Sequence, residues 1–250
     1  MISFIKTIIY QPLYNFLILI LNIPYVDAGV AVVILIILVK LLLFPLAKKT
    51  YITQFKMKGA SKELAAIKEK YKDRETQAVK VMEFYKKNNI NPFGSILGII
   101  IQIPIIYSLY HIFLQSGLPN VDMGLLYSFI KVPESVSMNF LGFVDISKNS
   151  IIFALLAAVS SFAQMHYSGL STQNKNEPTD KQDLSAIMGK QMKYTFPVIV
   201  FFISWKIAAV LSLYWVASNL VGMVQDYIIK KSFVANSQQP KEAINLVSKN

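Results

Sequence analysis

Lys40 stands inside the apolar run AGVAVVILIILVKLLLFPLA, residues 28–47. An ammonium placed there could hold an anion or the polar part of a substrate, provided that water or polar groups surround it. A charge in hydrocarbon costs several kcal/mol and usually faces a protein interior or a wet cavity. The next cation, Lys48, lies eight residues further on, about 12 Å of helical rise. Snorkelling of the long stem towards that boundary is the competing account. No carboxylate occurs in the first four apolar runs, and Asp226, near the end of the last, is the one candidate partner.

Other polar residues interrupt the apolar runs. Gln102 precedes Pro104, Ser160, Ser161 and Gln164 share one run, and Tyr214, Trp215, Ser218, Asn219 and Gln225 share another. Hydrogen bonds between helices would account for most of them, at about 0.6 kcal/mol each. Together with Lys40 they could instead line one hydrated cavity.

Catalytic patterns are missing. His111 and His166 are isolated, with no H-E-x-x-H, and neither G-x-S-x-G nor a P-loop occurs. The absence of cysteine removes disulfides, thiolate metal sites and a thiol nucleophile. The residues therefore point away from an enzyme, and no cofactor or metal site is implied.

The 250 residues are 54% hydrophobic and 16% charged, against roughly 25% charged in soluble domains. Mean hydropathy is +0.46. The charges crowd between runs long enough to cross a bilayer, which takes about 20 residues per helix. This predicts an all-α membrane protein with a five-helix transmembrane core bundle. The spans are about 28–47, 92–115, 150–167, 194–205 and 208–229, the last two separated by a turn near Lys206. Asn91-Pro92 reads as a helix start, and 168–193 reads as a flexible loop. Residues 1–27 lack an A-x-A cleavage site and the Arg- and Ser-rich character of a transit peptide, which favours an uncleaved start and a bacterial source. The stretch 4–23 suits either an interfacial helix or a signal anchor.

Residues 48–91 carry twelve Lys and Arg, whereas 117–149 carry only Lys131 and Lys148. The positive-inside rule places 48–91, 168–193 and the tail, 232–250, in the cytoplasm. Residues 48–91 read as a helical hairpin, turning at Tyr71-Lys72-Asp73 with Asp73 as N-cap and burying an apolar stripe that includes Tyr51, Phe55, Leu64, Ile67, Ala78, Met82 and Tyr85. The net charge of +11 makes anionic lipid a candidate partner, at about 1 kcal/mol per basic residue near the surface.

Four stretches carry a resemblance. ILVKLLLFPLAKK, NPFGSILGIIIQIPIIYSLYHIF, MKYTFPVIVFFISW and LSLYWVASNLVGMVQ follow in the order seen in YidC/Oxa-type membrane protein insertases. The resemblance covers roughly 28–231 and fits the short bacterial form without the large periplasmic domain. It implies five helices around a groove open to cytoplasm and lipid, and closed to the outside. Lys40 would take the place of the groove's arginine. Gln102 would match its glutamine, and Tyr214 and Trp215 its aromatic contacts. Pro104, Ser160, Gln164, Ser218 and Asn219 complete the expected substrate groove.

The resemblance further implies that the hairpin recruits substrate and that nascent membrane proteins are the clients. The Sec translocon, the ribosome and signal recognition particle machinery are candidate partners. Lysine in place of arginine is a departure, because an ammonium can lose its proton when desolvated and a guanidinium does not. A small transporter using Lys40 to bind an anion is the rival reading, though the inverted repeats common in transporters are not found.

Overall fold

A computed structural model describes residues 6–91, 94–115, 118–168 and 184–236. Nine α-helices and one two-stranded antiparallel sheet make up its regular structure among those residues, with short π and 3₁₀ turns. A π turn, Lys6–Tyr10, leads into α1, Gln11–Leu21, with Pro12 in its first turn, where a missing N–H costs nothing. Leu13, Tyr14, Leu17, Ile18 and Leu21 form its buried face at helical spacing.

Helix α2, Ala28–Leu42, begins at Asp27, whose Oδ1 accepts from the N–H of Gly29 at 2.8 Å and of Val30 at 2.9 Å. The same carboxylate accepts from Leu141 N at 2.9 Å through its other oxygen, in a turn where Leu141 has φ 52° and Gly142 φ 78°. That turn joins β1, Asn139–Phe140, to β2, Val144–Asp145. The Phe140 ring lies flush on Gly29, where no Cβ would fit. One residue thus caps α2 and fastens a loop over its first turn.

The apolar run predicted as one span over 28–47 breaks. The chain bends by 64° between α2 and α3, Phe44–Gly59. The cause is Pro45, which cannot supply an N–H to Leu41 and whose ring would meet that carbonyl, so the helix restarts with Pro45 in a first turn. Helix α3 then runs past the expected boundary into the basic segment.

The hairpin proper is α4, Ser61–Lys70, and α5, Arg74–Lys87. Asp73 caps α5, accepting from Thr76 N at 2.8 Å and Thr76 Oγ1 at 2.7 Å. Those bonds hold its carboxyl below the usual carboxylate range, so the cap is present at neutral pH and weakens as pH falls through that lowered value. Gln77 Nε2 closes the turn onto the carbonyls of Lys68 and Tyr71, both at 2.9 Å.

The expected burial of the apolar stripe does not occur. Neither α4 nor α5 has a fully buried residue, and Val79 and Met82 remain about half exposed. Two short helices offer each other too little surface to enclose a stripe. On α5, Ala78, Val79, Met82 and Tyr85 instead line an open cleft of about 880 Å³. Burial pushes the Tyr85 phenol up.

Helices α6, Gly94–Tyr110, α7, Ile151–Tyr167, α8, Leu184–Lys206, and α9, Ala209–Asn236, complete the fold. Ser150 caps α7. The first N–H groups of α9 donate to Lys148 O at 2.7 Å and Ile146 O at 3.0 Å. Orphan donors at that helix end are therefore satisfied by the preceding loop. The helix start read at Asn91-Pro92, most of the loop read over 168–193, and the tail beyond 236 lie outside the described residues. Within them, α8 begins ten residues before the expected span and α9 continues to Asn236.

Helix α9 is central and packs on α2, α3, α6, α7 and α8. The apolar core fills one end, where α1, the starts of α2, α7 and α9, and the end of α6 meet. Asn15, 1% exposed, seals that end. Its Nδ2 donates to Leu125 O at 2.8 Å and its Oδ1 accepts from Tyr127 N at 2.7 Å. Asn15→Leu keeps the branched outline and strands the Tyr127 N–H. An unmade buried bond costs about 1–3 kcal/mol, so thermal unfolding in detergent will show a lower midpoint. An unchanged midpoint would mean the loop does not depend on this amide.

The outer surface is apolar over wide areas. Ile37, Leu38, Ile152, Leu155, Val159, Ile199, Phe202, Val224 and Ile228 are all exposed. Among the described residues no single helix is long and apolar enough to cross a membrane, and the bent pair α2–α3 passes on length and composition.

Candidate functional site

Tyr214, Ser218, Asn219, Gly222, Gln225 and Asp226 follow helical spacing along α9 and form one polar file. It spans about 18 Å by helical rise. The file starts at the apolar core and runs towards the opposite end of the bundle.

The upper part is paired. The Gln102 amide of α6 donates to the Tyr214 hydroxyl, which also interacts with Ser218. Asn219 Nδ2 donates to Ser160 Oγ at 3.0 Å and Ser161 Oγ at 2.9 Å, tying α9 to α7. Ser160 Oγ in turn donates to Ala157 O at 3.0 Å. These groups satisfy one another between helices, as the bland reading of them proposes.

The lower part is different. A Cβ placed on Gly222 would sit 2.6 Å from Gln164 Nε2 and 4.0 Å from Lys40 Nζ. The missing side chain is what lets α2, α7 and α9 bring a cation and an amide to one point. Gln225 Nε2 donates to Lys40 O at 2.7 Å, which pins α2 on α9. The ammonium lies beside Gly222, three residues nearer the sealed end than Gln225, so the stem points into the bundle rather than towards Lys48. This follows the tilt of every helical Cα–Cβ bond towards its N-terminus.

Among the described residues Lys40 Nζ has no hydrogen-bond partner and closes no ion pair. Asp226 is the carboxylate whose field acts on it. The Thr50 and Ser168 hydroxyls are buried without a partner among the described residues, and Tyr51, the neighbour of Thr50, lies within electrostatic reach of Asp226 and Tyr167. Unsatisfied groups of this kind call for water or a polar ligand.

Seven of the expected residues thus fall on the file or its walls: Lys40, Gln102, Ser160, Gln164, Tyr214, Ser218 and Asn219. Two stand apart. Trp215 is half-buried, with neither hydrogen bond nor ring contact among the described residues. Pro104 contributes its carbonyl, which accepts from Ser108 Oγ at 2.7 Å. Sequence reasoning missed Gly222, Thr50 and Ser168. The glycine had one signal, its place in a helical run one turn after Ser218. His111 sits in an aromatic cluster 4.3 Å from the Tyr107 ring, and His166 beside Phe162.

A helical bundle with an apolar exterior and a half-satisfied polar file inside has the build of a membrane protein that handles polar groups within the bilayer. The sequence model described as 60Kd inner membrane protein matches residues 20–237, and the chain belongs to that family. It is 31% identical over 227 residues to the membrane protein insertase YidC of Fusobacterium nucleatum, covering 89% of this chain and 97% of that protein. The YidC of Clostridium tetani is 30% identical over 230 residues, covering 92% of this chain and 88% of its own. That of Dinoroseobacter shibae is 31% identical over 219 residues, or 84% of this chain but 35% of its own.

Proposed function

We propose that this chain is a membrane protein insertase of the bacterial inner membrane that offers a half-buried cation, unpaired among the described residues, to the polar part of a nascent protein. The observation that carries this is Lys40 Nζ, held beside Gly222 and Gln164 with no partner among the described residues. Snorkelling would direct the stem the other way. The file on α9 gives a polar outer segment somewhere to dwell while the adjoining apolar helix leaves between spans. Partitioning of that helix into lipid then drives release. The chemistry requires no bond making and no cofactor.

In this reading α2, α6, α7, α8 and α9 are the five core helices, with α1 as an interfacial or anchor helix. The sealed end faces outwards. The unpaired end, the hairpin and the C-terminus face the cytoplasm, in keeping with the basic charge of 48–91. The exposed stripe on α5 and its lysines suit recruitment of clients, with anionic lipid, the Sec translocon, the ribosome and signal recognition particle machinery as further partners.

The test is reconstitution of the pure protein into liposomes. Insertion of a short single-span protein supports the insertase, whereas solute flux without insertion supports a transporter. Orientation has its own check. Cysteines placed at Lys62 and Glu83 will resist a membrane-impermeant maleimide added to intact cells and react once the membrane is opened. Ready labelling of intact cells would invert the topology and close the proposed route from the cytoplasm.

A further inference from the structure

Asp226 follows Gly222 by one helical turn, so the two share a face of α9. The neighbour of Asp226, Gln225, is bonded to the backbone of Lys40, and Gly222 lies against the Lys40 ammonium. These two contacts fix Asp226 beside Lys40, yet the pair does not close into an ion pair. A carboxylate and an ammonium are thus held across a gap on rigid helices. A gap of this kind can admit a substrate carboxylate or amide to the ammonium. Tyr51 and Tyr167 are the other titratable groups at this end.

We propose that Asp226 is a specificity-determining residue, a fixed counter-charge that weakens the hold of Lys40 on acidic segments. This rests on the insertase reading above and deepens it. An unopposed cation in a half-buried groove would bind any small anion or acidic tail and release it slowly. A carboxylate one turn from the binding point opposes each incoming negative charge, because like charges disfavour one another across a low dielectric. Acidic segments are then held weakly enough to move on, and neutral polar segments are handled on more equal terms. Without the ammonium an acidic segment no longer docks at this point, so the carboxylate has nothing to oppose and its effect vanishes.

The experiment uses the full chain in proteoliposomes and two matched single-span substrates, with and without aspartates in the outer segment. Photocrosslinking of each stalled substrate to the groove reports occupancy, and protease protection reports insertion. Asp226→Asn will raise the ratio of acidic to neutral crosslinking about fivefold or more, the lower range for coupling between interacting sites. Asp226→Glu will restore the parent ratio. In a Lys40→Met background, Asp226→Asn will leave the ratio unchanged.

An unaltered ratio in Asp226→Asn, or the same rise with Lys40→Met as without it, overturns the proposal. Failure of Asp226→Glu to restore the ratio does so too, because the change would then be one of packing. A parent protein that inserts neither substrate removes the insertase reading and this inference with it. A parent that inserts both while Asp226→Asn changes nothing removes this inference alone.

Discussion

Lys40→Met will insert substrates with acidic outer segments about ten- to hundredfold more slowly than the parent, the worth of one charge-assisted hydrogen bond at about 1.5–3 kcal/mol. Methionine keeps much of the stem and removes the ammonium. The variant will accumulate normally, since a helix without its central charge is cheaper to place in lipid by roughly 2.5–3.5 kcal/mol. Lys40→Arg will keep pace with the parent, because the site needs a cation and a guanidinium stays charged when desolvated. Substrates without outer carboxylates will lose less. The measurement is protease-protected insertion of the matched substrate pair across the three proteins. If Lys40→Met inserts the acidic substrate as well as the parent does, the groove charge is not the mechanism.

That prediction rests on a distinction invisible in composition. The nine uncharged polar residues singled out in the apolar runs, from Gln102 to Gln225, look alike on paper. The rotations of α7 and α9 decide which of them meet. Asn219 falls on Ser160 and Ser161, and Tyr214 falls on Gln102, so these become interhelical pairs. Gln164 falls on Gly222 and Lys40 instead. A hydropathy profile carries no phase between helices, and so it cannot sort paired groups from unpaired ones.

Features with a local cause were easier to read. Asp73 caps its helix because a side-chain oxygen ahead of a periodic run has a backbone N–H within reach. The four ordered stretches led to the family that the comparisons establish. The break at Leu43 was missed although Pro45 was in plain view, since the apolar run continues through it and hydropathy does not register a bend. The open stripe on α5 was missed for another reason. Helical spacing shows that a face is apolar and says nothing of whether a second surface exists to cover it.

Gly222 separates stability from function more sharply than any other position. Gly222→Ala will leave the protein as stable as the parent or raise its stability by up to about 1 kcal/mol, the difference in helix propensity. The added Cβ would meet only the end of the flexible Gln164 side chain, at 2.6 Å, and that amide can swing aside. The new methyl and the displaced amide then take up room beside the ammonium, and insertion of acidic substrates will fall. Gly222→Leu goes further, because a branched side chain projects into the space beside Lys40 Nζ, which begins 4.0 Å from the Cβ. It will suppress insertion of acidic and neutral substrates alike while the bundle remains folded. Thermal unfolding in detergent and insertion in proteoliposomes, measured on the same preparations, will therefore run in opposite directions from Gly to Ala. Activity will fall again from Ala to Leu. If Gly222→Leu inserts both substrates at the parent rate, polar segments do not pass this point, and the route along α9 must be abandoned. If Gly222→Ala unfolds well below the parent, the glycine serves packing, and its place beside Lys40 carries no functional weight.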